Sequence, residues 1–359
     1  MTMHTAPTTT TFPPAQIPVR EAWLSLHQED ILEADLPIVD AHHHLWDRPG
    51  QRYLLDQFLH DTNSGHNILA SIYIQCRSMY RASGPEPLKP VGETEFANGI
   101  AAQSASGIYG KLRACAGIVA FADLALGKQV RAVLEVHLRA APERLKGIRN
   151  MTASDPSGEI SAGFGKVRSG MLTEPGFLEG FAELAPLGLS ADIWAYHPQL
   201  PEVIALARMF PETSIILNHA GGPLNEGHYR ENRRKTMRDW QHSMEQLAGM
   251  KNVTVKLGGL CMKIGGLGFN QQKLPPSSEQ LADAFRPIVQ PCIDMFGPER
   301  CMFESNFSMD KGMCSYAVLW NAFKRLACDY SREEKIAMFA ANAARVYRLS
   351  ATDIGLQAY

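Results

Sequence analysis

The chain contains no C-x-x-C pair, no G-x-S-x-G elbow and no glycine-rich phosphate loop, and each absence removes a class of chemistry. Without the elbow there is no support for a serine nucleophile, and without the phosphate loop none for nucleotide chemistry. Seven cysteines are too few and too scattered for a disulfide framework or a Cys-based structural zinc site; they suit reduced thiols and a cytoplasmic enzyme. No apolar run approaches the roughly 20 residues that span a bilayer. The formal net charge is only -2, with no long basic or acidic block, so neither nucleic acid nor an anionic membrane surface is an expected partner.

What the chain has is length and apolar content: 359 residues, 45% of them apolar and 20% charged, enough for a sizeable core. Residues 1–17 are rich in Thr and Pro, lack the charged start and apolar centre of a signal peptide, and are expected to be a flexible tail. Residues 18–359 are expected to form one domain.

Within that domain short apolar runs recur in the manner of strands buried on both faces. They are Pro37–His42, Ala70–Cys76, Arg113–Phe121, Leu145–Asn150, Leu189–Ala195, Ser214–Asn218, Asn252–Leu257 and Arg300–Glu304. Helix-like stretches lie between them, among them Lys128–Ala140, Pro175–Leu187, Pro201–Met209, Arg234–Leu247 and Ser278–Phe296, with Thr173 and Ser277 near two of the starts. Eight βα repeats predict an α/β fold, a single (β/α)₈ TIM barrel, ahead of a doubly wound sheet. An extra amphipathic helix is expected over Val19–Glu33, a closing C-terminal helix over Arg332–Arg348 capped by Ser331, and a long loop over Gly258–Pro276.

The densest chemistry lies in Asp40-Ala41-His42-His43-His44-Leu45-Trp46-Asp47. Strand alternation puts His42 and His44 on one face with Asp40 and turns His43 away. Two imidazoles so spaced can share a divalent metal, although a polar strand end reads the same way. His197 follows the fifth strand and His219 the sixth, and strand ends converge at the mouth of a barrel, so all four histidines are candidates for one cluster. Arg149 ends the fourth strand, where a planar guanidinium suits a substrate carboxylate; the alternative is a salt bridge to a loop acid. Gln75, Tyr196, Trp46 and Lys256 are candidate pocket residues.

The D-A-H-H-H-L-W-D, K-G-I-R, N-H-A-G-G-P and V-K-L-G-G-L segments resemble the amidohydrolase-related group of the amidohydrolase superfamily, over about Leu36 to Leu349. That group includes lactonases of 2-pyrone-4,6-dicarboxylate and of sugars and, more distantly, decarboxylases. The resemblance implies a metal or its former place between the first-strand pair, the fifth-strand histidine and an aspartate after strand eight. Carried over, the ligands are His42, His44 and His197. The eighth strand departs from the pattern, reading Glu304-Ser305-Asn306-Phe307-Ser308 with Asn306 in the aspartate's place. A carboxamide cannot take a proton and is a weak metal ligand. Glu304 is then the candidate general base, unless it is ion-paired to Lys256 or Lys146.

These readings converge on hydrolysis of a small, carboxylated cyclic ester. His42, His44 and His197, with zinc or manganese or with no metal, activate water; Glu304, His219 and Asn306 supply the remaining catalytic groups. Metal-dependent decarboxylation of an aromatic or unsaturated acid, and a barrel that only binds its ligand, are the alternatives. A homodimer is the expected assembly.

Overall fold

The computed structural model describes residues 16–160, 167 and 169–356. Eight parallel strands pair in chain order: β1 (Pro37–His43), β2 (Asn67–Ile74), β3 (Arg113–Ala120), β4 (Leu145–Met151), β5 (Ser190–Trp194), β6 (Ile215–Leu217), β7 (Val253–Leu257) and β8 (Cys301–Phe303). Every expected strand is present, most of them trimmed by a residue or two. The helices are α1 (Leu55–Thr62), α2 (Val91–Ala105), α3 (Val130–Ala140), α4 (Pro175–Phe181), α5 (Leu200–Met209), α6 (Arg233–Ala248), α7 (Ser278–Phe296) and α8 (Tyr316–Leu326), one after each strand. This is a (β/α)₈ barrel.

The seam between β1 and β8 is closed by backbone bonds just past the strand ends. Asn306 N–H donates to His42 O at 2.9 Å and His44 N–H donates to Phe307 O at 2.7 Å. Ser305 reinforces the seam, with its backbone N–H 2.8 Å and its hydroxyl 2.6 Å from the carboxylate of Asp40. The last hydrogen-bonded seam of the sheet is therefore made by residues that also stand in or beside the site, His42, His44 and Asn306.

Two layers bury the apolar side chains. Small and branched residues, including Val39, Ala41, Ala70, Ile72, Ile74, Val119 and Ile216, pack together with Ala343, Val346 and Tyr347 of the C-terminal helix. The helices cover the outside through a larger cluster that contains Phe58, Phe177, Phe181, Trp240, Phe285, Phe323 and Phe339. Burying one such side chain contributes about 1.5–3 kcal/mol.

Several local expectations hold for stated reasons. Ser277 and Ser331 both cap helices, each accepting from the N–H three residues on, with Gln280 and Glu334 closing reciprocal boxes. The Gly258–Pro276 stretch is a loop broken only by two single 3₁₀ turns. The closing helix is built as Arg332–Ile336, a π turn Ala337–Ala341 and Asn342–Val346. Thr173 does not cap α4; it ends a 3₁₀ turn and Glu174 takes the cap position.

The N-terminal region differs more. Of the helix expected over Val19–Glu33 only Glu21–Leu24 is helical. The rest is held by side chains of α8: Asn321 accepts from Leu32 N–H and donates to Asp30 O, and Lys324 donates to the carbonyls of Leu32 and Glu33. Backbone groups satisfied this way gain nothing from a helix, so tertiary contacts override the amphipathic pattern. Gln16 and Ile17, assigned to the tail, are buried, and Ile17 packs where Gly312 leaves no room for a Cβ. The remainder of the proposed tail lies outside the described residues.

Asn321→Ala removes three hydrogen bonds to this segment at once. It is expected to lower unfolding stability by about 1–3 kcal/mol in urea denaturation without changing the helical circular dichroism by more than a turn.

Candidate active site

At the carboxyl ends of the strands the sequence brings His42, His44, Arg149, His219, Glu304 and Asn306 together, all buried. A narrow cavity of about 40 Å³, room for one or two waters, is lined by His44, Trp46, Gln75, Arg149, Tyr196, His219 and Asn306. Cys76, Arg77, Trp194 and Ile264 line it too, with Met151, Met262 and Met309, whose flexible side chains must give way to admit a ring-sized substrate.

Glu304 is the hub. Its Oε1 accepts from the backbone N–H of His219 at 3.1 Å and from His219 Nδ1–H at 2.7 Å. Its Oε2 lies 2.8 Å from His42 Nδ1 but has no aligned donor. The paired glycines after β7 make this approach possible: a Cβ at Gly258 would lie 2.5 Å from Glu304 Cγ, and one at Gly259 2.0 Å from His219 Nδ1. His219 and Ala220 adopt positive φ, at 54° and 50°, a strained non-glycine conformation that turns the His219 ring into the site.

The imidazole pair is set by a second contact. His44 Nδ1 is 2.8 Å from Ile74 O, a carbonyl that can only accept, so His44 carries its proton on Nδ1 and presents a bare Nε2. That Nε2 is 3.1 Å from His42 Nε2. A neutral His42 has one N–H for two close neighbours, His44 Nε2 and Glu304 Oε2. Whichever it serves, the other contact sets two lone pairs against each other, relieved only by a long donor, Arg149 at 3.3 Å from Nε2 or Lys256 at 3.4 Å from Nδ1. Imidazolium formation at His42 is opposed by burial and by the cations Lys256 and Arg149, which hold its pKa well below the usual value.

An ion held by both Nε2 atoms removes the conflict, because His42 can then give its Nδ1–H to Glu304. Two nitrogens about 2.0–2.1 Å from a tetrahedral zinc stand roughly 3.3 Å apart, close to the observed separation. His42, His219 and Glu304 also offer ligand atoms within 4.8 Å of one another. The donor set fits a zinc-class cation, with the His44–carbonyl bond as its orienting second layer.

Not every expected residue joins. His197, proposed as the third metal ligand, packs edge-on against Tyr229 with ring centres 5.0 Å apart and accepts from Leu224 N–H at 3.4 Å. His197 begins a 3₁₀ turn after β5, which carries it past the strand axis. Among the described residues no contact links it to His42 or His44. The third imidazole beside His42 and His44 is His219, which is bonded to Glu304. Asp40 does not share the site either; an irregularity in β1 between Asp40 and His43 sends its carboxylate outward to Ser305 and Tyr316. His43 does point away, stacked on Phe58 at 4.2 Å.

Lys256 is fully buried beneath the cluster and pairs with Asp192 at 2.8 Å, not with Glu304. Asn218 and Tyr347 also donate to Asp192, at 2.9 Å each. Lys146, the other suggested partner of Glu304, bonds Arg348 O at 3.2 Å. Asp192 was missed, although a carboxylate inside the apolar run Leu189–Ala195 is a visible anomaly. Tyr347 gave no such sign.

Asn306, at φ 53°, donates from its amide to Asp310 at 2.7 Å, and Asp310 also accepts from Cys261 N–H. Burial pushes the Asp310 carboxyl up to about 8. A carboxyl raised on folding takes up a proton that the unfolded chain lacks, so stability falls as pH rises from about 4 to about 8. Proton uptake by other groups is common to both proteins and drops out of a comparison with the Asp310→Asn variant. In urea titrations between pH 6.5 and 8 the wild type should therefore lose stability relative to Asp310→Asn; parallel curves would contradict the assignment.

For the metal seat, titration with zinc should show affinity at least tenfold weaker in His44→Ala than in wild type, with His197→Ala within threefold of wild type. The reverse order would restore the original His197 assignment.

A family model described as Amidohydrolase matches residues 39–349. An uncharacterised protein of Sinorhizobium fredii is 30% identical over 88% of this chain and all of its own length. L-fucono-1,5-lactonase of Burkholderia multivorans is 28% identical over 48% of this chain, a match that spans 56% of that enzyme. A crystal structure of an amidohydrolase from Burkholderia multivorans with bound zinc superposes with a TM-score of 0.67 at 22% identity, covering 87% of this chain and 99% of that one. With the match running from the first strand to the closing helix, the chain belongs to the amidohydrolase family of hydrolases.

Proposed function

We propose that the enzyme hydrolyses a small lactone that carries a carboxylate, opening the ring to a hydroxy acid. The observation that carries this reading is Arg149. Its side chain is 3% exposed, bonds Gln75 O at 2.5 Å, stands 3.3 Å from His42 Nε2, and has no carboxylate within ion-pair distance among the described residues. A buried guanidinium with no carboxylate in contact is costly even with Asp192 and Glu304 acting at longer range, and an anionic substrate group would be its contacting partner. The similarity to L-fucono-1,5-lactonase supports ester-ring opening, and the zinc held by the Burkholderia neighbour supports a metal at the paired histidines.

In this reading His219 is the proton acceptor and Glu304 its orienting carboxylate. The Nδ1–H bond to Glu304 leaves His219 Nε2 free to take a proton from water as the water oxygen bonds to the lactone carbonyl. Glu304 stabilises the resulting imidazolium. The ring C–O bond then breaks, and the proton passes from His219 to the departing alkoxide. Arg149 anchors the substrate carboxylate beside the reacting carbonyl. A divalent metal, when held by His42 and His44, would polarise the carbonyl and lower the pKa of a water. Asn306 positions, since it cannot ionise.

Acid release from a lactone bearing a ring carboxylate, followed with a pH indicator, tests the reading. His219→Ala should lower kcat by about 10²–10⁴-fold. Arg149→Met should raise KM at least tenfold for the charged lactone and little for a neutral sugar lactone. Release of CO₂ with proton uptake would instead establish decarboxylation.

A further inference from the structure

The amino-terminal face of the barrel, opposite the active site, carries an open cleft of about 710 Å³. Arg113 at the start of β3, Arg144 and Lys146 at the start of β4, and Arg348 after the closing helix line it, together with Ser350 and Thr352. A second hollow of about 430 Å³ adjoins it through Arg113, Thr352, Asp353 and Ile354 and adds Lys111. Five cations face two acids, Glu143 and Asp353, a local excess of three positive charges in a chain whose net charge is -2.

Elsewhere on the surface Arg52, Arg81 and Arg131 pair with carboxylates. Among the described residues none of these five does. Arg113 donates to Lys111 O, Arg144 to Asn98 Oδ1, and Lys146 and Arg348 each to the other's backbone carbonyl. Such bonds fix the side chains without neutralising them, and a guanidinium keeps further donors to offer. The field is felt locally: half-burial and the neighbouring Arg348 and Arg144 hold the Lys146 pKa below its usual value, against the pull of Glu143. Held side chains, like charge and open volume thus occur together in this cleft.

From this juxtaposition we infer that the cleft is a second ligand site, one that takes a small molecule bearing phosphate groups. Several oxygens carrying more than one negative charge match paired arginine forks flanked by lysines and hydroxyls, which a single carboxylate does not. The inference is independent of the reaction catalysed at the opposite face.

Pyrophosphate is the probe, titrated calorimetrically into the full chain at constant ionic strength. Saturable binding to wild type is expected, weakened at least tenfold in Lys111→Gln/Arg113→Gln. Lys111→Gln alone, at an exposed position, serves if the double variant does not fold, with at least threefold weakening. Lys273→Gln, on an unrelated exposed loop, should bind as wild type does. Absence of saturable heat, or equal binding by the cleft variants, overturns the site. Citrate binding as tightly as pyrophosphate overturns its assignment to phosphate.

Discussion

The site depends on how many protons His42 can carry. Its two nitrogens face His44 on one side and Glu304 on the other, at 3.1 and 2.8 Å, and only one of them bears hydrogen in the neutral ring. A second proton would relieve the contacts, but burial and the flanking Lys256 and Arg149 oppose it. A cation held between the two imidazoles resolves the contact, since His42 can then give its Nδ1–H to Glu304. The rest of the site follows: His44 is pinned by a carbonyl, His219 by a carboxylate, and both present Nε2 inward.

The charges beneath are arranged to tolerate this. Lys256 is neutralised by Asp192, which three donors hold in place, so the barrel interior stores one compensated ion pair and not a free charge. Arg149 differs from Lys256: among the described residues no carboxylate lies within ion-pair distance of it, although Asp192 and Glu304 act on it from further off. Stability arguments alone give no reason for it. Substrate recognition does.

Much of this was legible in the sequence, and the failures are specific. The eight strands were readable because both faces of each are buried, which leaves continuous apolar runs bounded by polar turns. His42, His44 and Arg149 were readable because strand ends in a barrel share one mouth. His197 was misassigned since position after a strand does not reveal the direction taken by the next turn. Asp40 was misassigned because strand alternation cannot foresee an irregularity between it and His43. The partner of Lys256 was hidden because Asp192 lies 64 residues away in the chain, whereas Asp310, which holds the Asn306 amide, is only four residues on. Gly258 and Gly259, by contrast, look like loop residues but are required by the close approach of Glu304 and His219.

The proton count can be measured directly by long-range ¹H–¹⁵N NMR on histidine-labelled protein at neutral pH. The account predicts His44 and His219 as Nδ1–H tautomers throughout, and His42 as Nδ1–H once zinc is added, with no hydrogen on any of the three Nε2 atoms. A His42 that keeps its hydrogen on Nε2 in the presence of saturating zinc would contradict it.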